Sequence, residues 1–313
     1  MLNLIWRRLA LSIPLLFLVS IITFVIQSFL PGDLARSLLG VSATDQQYQA
    51  LRAALHLDQP VLVQYGMYIG GIFRGDFGTS VYTGQPVLQT IAQRLPVSLS
   101  LIVLGTVMAA AIGILLGVLS ATRGPVLRRL VDVGSLVGGA LPNFWLGLVI
   151  SLVFAGALGW FPSTGYVDFT SSPGLWVWYL VLPVCALAIG AIGIVAKVTR
   201  DQMMTTMRQG FVRTLRAAGA SEASIIWKHS LRGSGVAILT VLGIVFVASL
   251  SGTVLIENVF VLPGLGSLAV SATTRHDIPV IQGIALVLTA MVIVVNLLID
   301  LAYGLINPKV RLS

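Results

Sequence analysis

Long apolar runs alternate with short polar connectors along the 313 residues. A helix needs roughly 20 apolar residues to cross a hydrocarbon layer about 30 Å thick. Six stretches meet that length: residues 9–30, 96–122, 133–158, 178–196, 235–256 and 280–306. The second carries no charge. The third holds Gly138, Gly139 and Pro142 in its middle, and the fourth holds Pro183 near its start. Proline in a span bends the helix or frees backbone groups that other parts of the protein must satisfy. The pattern predicts an all-α polytopic membrane protein with six transmembrane helices. Arg7 and Arg8 before the first run resemble the start of a signal peptide. The run is too long for one, and no small-x-small cleavage site precedes Pro31, so it is read as an uncleaved span.

The segments between spans differ in character. Residues 31–95 exceed a simple connector. Thr44 and Gln47 have capping-box spacing and open a short helix. Asp58-Gln59-Pro60 opens a second helix reaching about Phe73. Arg74–Ser80 reads as a Gly-rich turn, and Pro86 stands at another helix start. This is expected to be a small helical cap between spans one and two, either a passive lid or a surface for a soluble partner or a gate. Residues 159–177 lack Lys and Arg. Trp160, Trp176 and Trp178 flank them, as an interfacial aromatic belt or as packing residues. Residues 197–234 carry seven Lys or Arg against Asp201 and Glu222. They are expected to be helical, with a break at Gly210. Gly219 joins two short helices, and Ser221 caps the one opening at Glu222.

Charge orients the spans. Cytoplasmic segments collect Lys and Arg. With the N-terminus inside, segments 1–8, 123–132, 197–234 and 307–313 hold 14 of the 19 Lys and Arg. The outer segments 31–95, 159–177 and 257–279 hold the other five, so both termini are expected to be cytoplasmic. Only 10% of residues are charged, too few for a soluble surface of this size. The formal net charge of +8 then reflects topology rather than nucleic-acid binding. One cysteine and three scattered histidines make neither a disulfide framework nor a metal site. No ionisable group stands at the centre of spans one to five, against a proton-coupled carrier. No Ser/His or paired-Asp constellation suggests a membrane enzyme, and no phosphate-binding Gly-x-x-x-x-Gly-Lys loop is present.

From the residues alone, 197–234 has three readings: a basic helix held by anionic lipid, a plain connector, or a docking site for a cytosolic protein. The Ala217, Ala218, Gly219, Ala220 joint favours docking, since small residues let another backbone approach. Residues 211–235, FVRTLRAAGASEASIIWKHSLRGSG, resemble the EAA loop of ABC-importer permeases, in particular the dipeptide/oligopeptide/nickel family. Arg213-Thr214-Leu215 stands where the wider superfamily has Glu-Ala-Ala, and an Arg-Thr start suits the peptide branch. Six further segments resemble the same family in order: RGDFGTS, PNFWLGL, FPSTG, ENVFVLPGLG, DIPVIQG and NLLIDLAYGLINPKVRL, with LPGD at residues 30–33 before them.

That resemblance implies a type I ABC-importer permease fold with one transmembrane domain over 75–306, in a bacterial plasma membrane. It implies pairing with a second homologous permease, two ATP-binding subunits and an extracytoplasmic substrate-binding protein. ATP and Mg²⁺ would belong to the ATPases, and this chain would be non-catalytic with no cofactor of its own. Arg213, Thr214, Leu215, Arg216, Ala217, Ala218, Gly219, Ala220, Ser221 and Glu222 would form the ATPase-coupling helix. Candidate pathway or gate residues are Pro142, Asn143, Ser249, Ser251, Glu257 and Asn258. The hydroxyl patch around Ser249 can equally serve helix packing. Glu257 can face the binding protein or pathway mouth, or lie solvated at the interface. The alternative function is an autonomous secondary transporter or channel.

Overall fold

The computed structural model describes residues 2–29, 39, 43–54 and 57–306. The LPGD motif and the tail carrying Lys309 and Arg311 lie outside the described residues. The described chain is helical: α1 (Leu2–Phe29), α2 (Asp45–Ala54), α3 (Val61–Phe73), α4 (Val87–Thr122), α5 (Pro125–Ala140) and α6 (Asn143–Ile150), which continues as a π-helical turn, Ser151–Ala157. Then come α7 (Pro173–Met207), α8 (Gly210–Ala217), α9 (Glu222–Ser224) with its extension to Gly233, α10 (Gly235–Val259), α11 (Leu265–Arg275) and α12 (Ile278–Ile306). Among the described residues, five helices are long and apolar enough to cross a membrane. A sixth span results if α5 and α6 with its π turn count as one.

Three elements depart from the expected boundaries. Helix α4 starts at Val87, so Pro96 lies inside it rather than at its head. Proline already has the φ of a helix, and the cost is one missing N–H bond. Helix α7 runs on to Met207, through Lys197 and Arg200. Its start is fixed by Ser172, whose hydroxyl accepts the Leu175 N–H, with Pro173 in the first turn. The continuous span expected over 133–158 is broken at Leu141-Pro142, and the helices on either side are bent by 100°. Pro142 is extended, at φ −63° and ψ 137°. Leu141 is extended too, as the residue before a proline prefers.

The chain divides into two compact units. One is built on Val97–Ser267 with the helix from Val294 onward, and α7 is its centre. Backbones meet there through glycine. A Cβ at Gly117 would stand 2.6 Å from Thr199 Cβ and 2.7 Å from the Ala196 carbonyl. One at Gly113 would stand 2.8 Å from Val195. On another side of α7, a Cβ at Gly190 would meet the Gly138 carbonyl at 2.8 Å, and one at Gly193 would meet Ser135 Cα at 2.6 Å. In a membrane no hydrophobic force pulls helices together, so close packing at small residues does that work. Near the start of α7, Leu180 joins Leu101, Ile256 and Phe260 in a buried cluster.

The other unit comprises Leu4–Pro96 and Leu268–Ile293. The expected capping box is present: Thr44 N–H donates to Gln47 Oε1 at 3.0 Å, and Gln47 N–H to Thr44 Oγ1 at 3.3 Å. The second connector helix, α3, is no free-standing cap. It packs antiparallel to α1, with Phe24 against Tyr65 and Tyr68, Phe17 against Phe73, and a 2.8 Å hydrogen bond between Ser20 and Tyr65. It carries no charge, and the aromatic contacts cover only part of it: Leu62 and Phe73 stay exposed. The Arg74–Ser80 turn has positive φ at Gly75 and Gly78. It is held by Asp277, which accepts from Ser80 Oγ at 2.5 Å.

Candidate functional site

The basic segment folds as two short arms meeting at Gly219. The break comes at Arg208-Gln209, and Gly210 is the first residue of α8. Helix α8 is amphipathic: Val212 is completely buried, while Arg213, Thr214, Arg216 and Ala217 are exposed. Its end is a Schellman closure. Gly219 N–H bonds the Arg216 carbonyl and Ala220 N–H bonds the Leu215 carbonyl, both at 3.0 Å. Gly219 takes φ +78°, which glycine adopts without strain. A side chain there would meet nothing within 4 Å, so the constraint is conformational and the space is open. The second arm begins at Ser221, whose hydroxyl accepts the Ser224 N–H at 3.3 Å. It continues through a π-helical turn, Ile225–Ser230, and Ile225 and Ser230 are fully buried.

Each arm thus has a buried anchor, and Ala217, Ala218, Gly219 and Ala223 at the joint are exposed. Arg216 and Glu222 face each other across it, with Nε–Oε1 at 2.6 Å and Nη2–Oε2 at 3.1 Å. The hydrogen bond from Arg216 holds the Glu222 carboxyl below the usual glutamate range, and the same bond raises the guanidinium. Arg216 is therefore engaged within the chain, a pairing that residue spacing alone does not reveal. Arg213, Lys228 and Arg232 are exposed and form no ion pair with any described residue. Sequence reasoning also missed Arg200. It is 6% exposed in the C-terminal part of α7 and pairs with Asp132 at 2.6 Å and Asp201 at 2.8 Å, and it donates to the Arg128 carbonyl. Asp132 as the one acid in a basic connector was the available signal.

The pathway candidates separate into two groups. Pro142 is exposed and Asn143 half-buried at the helix break. A Cβ at Gly252 would lie 3.0 Å from Asn143 Nδ2, so the break packs against the small-residue stretch of α10. Within that stretch Ser249 and Thr253 are buried and bond carbonyls of their own helix, while Ser251 is exposed. The first two serve packing.

Glu257 neither faces a mouth nor lies solvated: it is completely buried. Its Oε1 accepts from Ser98 Oγ at 2.5 Å and its Oε2 from the Ser267 N–H at 2.9 Å. Ser98 Oγ accepts in turn from the Leu265 N–H at 2.7 Å. The carboxylate caps the first turn of α11, where amide groups and helix dipole favour negative charge. A Cβ at Gly264 would overlap this carboxylate, and one at Gly266 would come 2.5 Å from Val254 Cα. That explains the glycines of ENVFVLPGLG. Asn258, the next residue, is exposed and bonds the Val254 carbonyl. Among the described residues no group of His, Cys, Asp and Glu could hold a metal.

Residues 113–312 match the family described as binding-protein-dependent transport system inner membrane component, and residues 1–102 match its N-terminal family. A Brucella abortus protein named as a peptide transport system permease is 40% identical over 98% of both chains. The oligopeptide transport system permease protein AppB of Bacillus subtilis is 34% identical over 97% of this chain and 98% of its own. The di/tripeptide transport system permease protein DppB of Pseudomonas aeruginosa is 34% identical over 99% of both. Among solved structures, a chain of the inward-facing MetNI methionine ABC transporter superposes with TM-score 0.52 at 17% identity. It covers 71% of this chain and 94% of that one, a likeness of fold. Glycine-packed apolar helices, an exposed basic joint and these matches agree: the chain belongs to the binding-protein-dependent transport system inner membrane components, the multi-pass permeases of ABC importers.

Proposed function

We propose that this chain is one of two permease subunits in an ATP-driven importer of peptides, and that the two arms around Gly219 couple it to cytosolic ATPases. The observation that carries the coupling role is the joint itself. Val212 and Ile225 root the arms in the protein, while Ala217, Ala218 and Gly219 leave a small-residue apex exposed. A rigid element rooted in the spans and open at its tip transmits displacement in either direction. Arg213, Lys228 and Arg232 flank the apex and suit an acidic rim on the partner. Peptides as substrate rest on the names of the relatives.

In this reading there are six spans, α5 and α6 forming one broken span, and both termini are cytoplasmic. A second homologous permease completes the pathway, two ATP-binding subunits supply ATP and Mg²⁺, and an external binding protein delivers the peptide. Pro142, Asn143, Ser251 and Asn258 remain the candidates for pathway or gate. The chain performs no catalysis. The test is purification by a C-terminal tag from the native membrane, followed by peptide uptake in proteoliposomes. Recovery with a second permease and two ATP-binding subunits is expected, with uptake lost in Gly219→Trp while the assembly still folds. Recovery of this chain alone, even with nucleotide trapped, would indicate an autonomous carrier or channel. Normal uptake in Gly219→Trp would remove the coupling role.

A further inference from the structure

We infer that Arg216 and Glu222 form an intramolecular clasp that sets the angle between the two arms of the coupling element, so that Arg216 is a positioning residue and not a partner contact. The inference rests on the coupling role proposed for this segment. The guanidinium reaches across the joint by two parallel bonds, at 2.6 and 3.1 Å. Two-point contact between a planar fork and a carboxylate fixes orientation as well as distance. The residues it joins stand on opposite sides of Gly219, the only positive-φ residue in the segment. Glycine gives the joint its turn but leaves it free to sample others. A second restraint is needed if the arms are to hold one angle.

The charges are also placed where the helices favour them. Arg216 is in the last turn of α8 and Glu222 in the first turn of α9. A cation suits a helix C-terminus and an anion an N-terminus. Other groups near the pair do not compete. Glu222 is the sole acid between Asp201 and Glu257, and Arg213 forms no ion pair with any described residue. The clasp is exposed, so it does not hold the fold together. What it changes is the entropy of ordering the joint when a partner binds, which pre-organisation removes in advance.

The experiment is a charge swap in the full importer in lipid nanodiscs. Arg216→Glu, Glu222→Arg and the double swap are compared for retention of the ATP-binding subunits and for ATP-driven uptake. Gly219→Trp is included as the coupling control, and thermal melting confirms folding of each assembly. Each single change should weaken retention by about two- to fivefold, the range for exposed ion pairs. The double swap should recover to within about twofold, short of full recovery because both charges then oppose their helix dipoles. Arg216→Lys, which keeps the charge but not the fork, should fall between. The loss in the single variants should shrink as salt is raised. A Glu222→Arg variant that behaves as wild type overturns the clasp, as does a double swap no better than Arg216→Glu. Either result means that Arg216 meets the partner directly. If Gly219→Trp is also normal, the coupling role itself fails, which is a separate outcome.

Discussion

Glu257→Gln changes one oxygen for one nitrogen at an unchanged volume, and the consequence can be worked from the hydrogen bonds. The carboxylate accepts two donors, Ser98 O–H and Ser267 N–H. Glutamine has one acceptor oxygen and an NH₂ that only donates. Whichever way it turns, one donor faces the NH₂. If the NH₂ faces Ser98, the hydroxyl oxygen can accept it beside the Leu265 N–H, but the Ser98 O–H then loses the acceptor it had. The site loses a charge-assisted bond and strands a buried donor. Those effects cost about 1.5–3 and about 1–3 kcal/mol. They overlap, so about 3 kcal/mol is a working figure. For a chain of this size that lowers the melting midpoint by roughly 4–5 °C. Six tryptophans make intrinsic fluorescence a suitable readout in nanodiscs. Ser98→Ala alone should cost less. In the double variant the losses should fall short of their sum, because both residues belong to one network. A Glu257→Gln protein melting within about 1 °C of wild type would refute the argument, since no anion would then be needed at the head of α11.

Other expectations follow from the same contacts. Gly117→Val would drive a branched side chain into Thr199 and the Ala196 carbonyl, and folded protein recovered from the membrane should fall severalfold, while Gly134→Val, with open space around it and no positive φ, should be recovered near wild type. Arg200→Met should release Asp132 and Asp201 and lower the melting midpoint by a few degrees, with limited effect because both acids are partly exposed. For the clasp the pH dependence has a fixed sign. Glu222 has a depressed folded pKa, so its contribution is present above the unfolded value of about 4.3 and is lost as pH falls through the lower folded value. Retention of ATP-binding subunits by wild type relative to Glu222→Gln should stay constant from pH 7 to 5 and converge only below about pH 4.

What was legible in the chain divides by range. Apolar runs gave the spans, because length and absence of charge decide membrane crossing residue by residue. The Gly219 turn and its Ser221 cap were legible because both are local. Span ends were not: α7 continues past its apolar run to Met207 because Asp201, Gln202, Met203 and Met204 follow with no breaker among them. The break at Leu141-Pro142 was foreseen as a bend but not as a 100° turn, since a proline says that a helix is disturbed and not how far. The contacts that matter most for the sites were invisible. Glu257 meets Ser98 from 159 residues away, and Arg200 meets Asp132 from 68 away. Polarity at a span end reads as exposure until the partner is known. The uncharged stretch of α3 was the overlooked signal, since a helix without a charge has little use for water.

The broken helix also constrains its surroundings. Where α5 stops and α6 starts, the last carbonyls of one and the first amides of the other have no helical partner. Gly139, Ala140 and Pro142 at that point are exposed on this chain. Hydrocarbon cannot satisfy such groups, and lipid-facing irregular backbone is not tolerated at membrane depth. If the pair is a single span, the acyl region of the bilayer is therefore excluded from this corner of the molecule. Either a neighbouring polypeptide covers it or water reaches it from one side of the membrane. The corner is a hydration requirement written into the backbone, and it fixes which flank of the subunit can face lipid and which cannot.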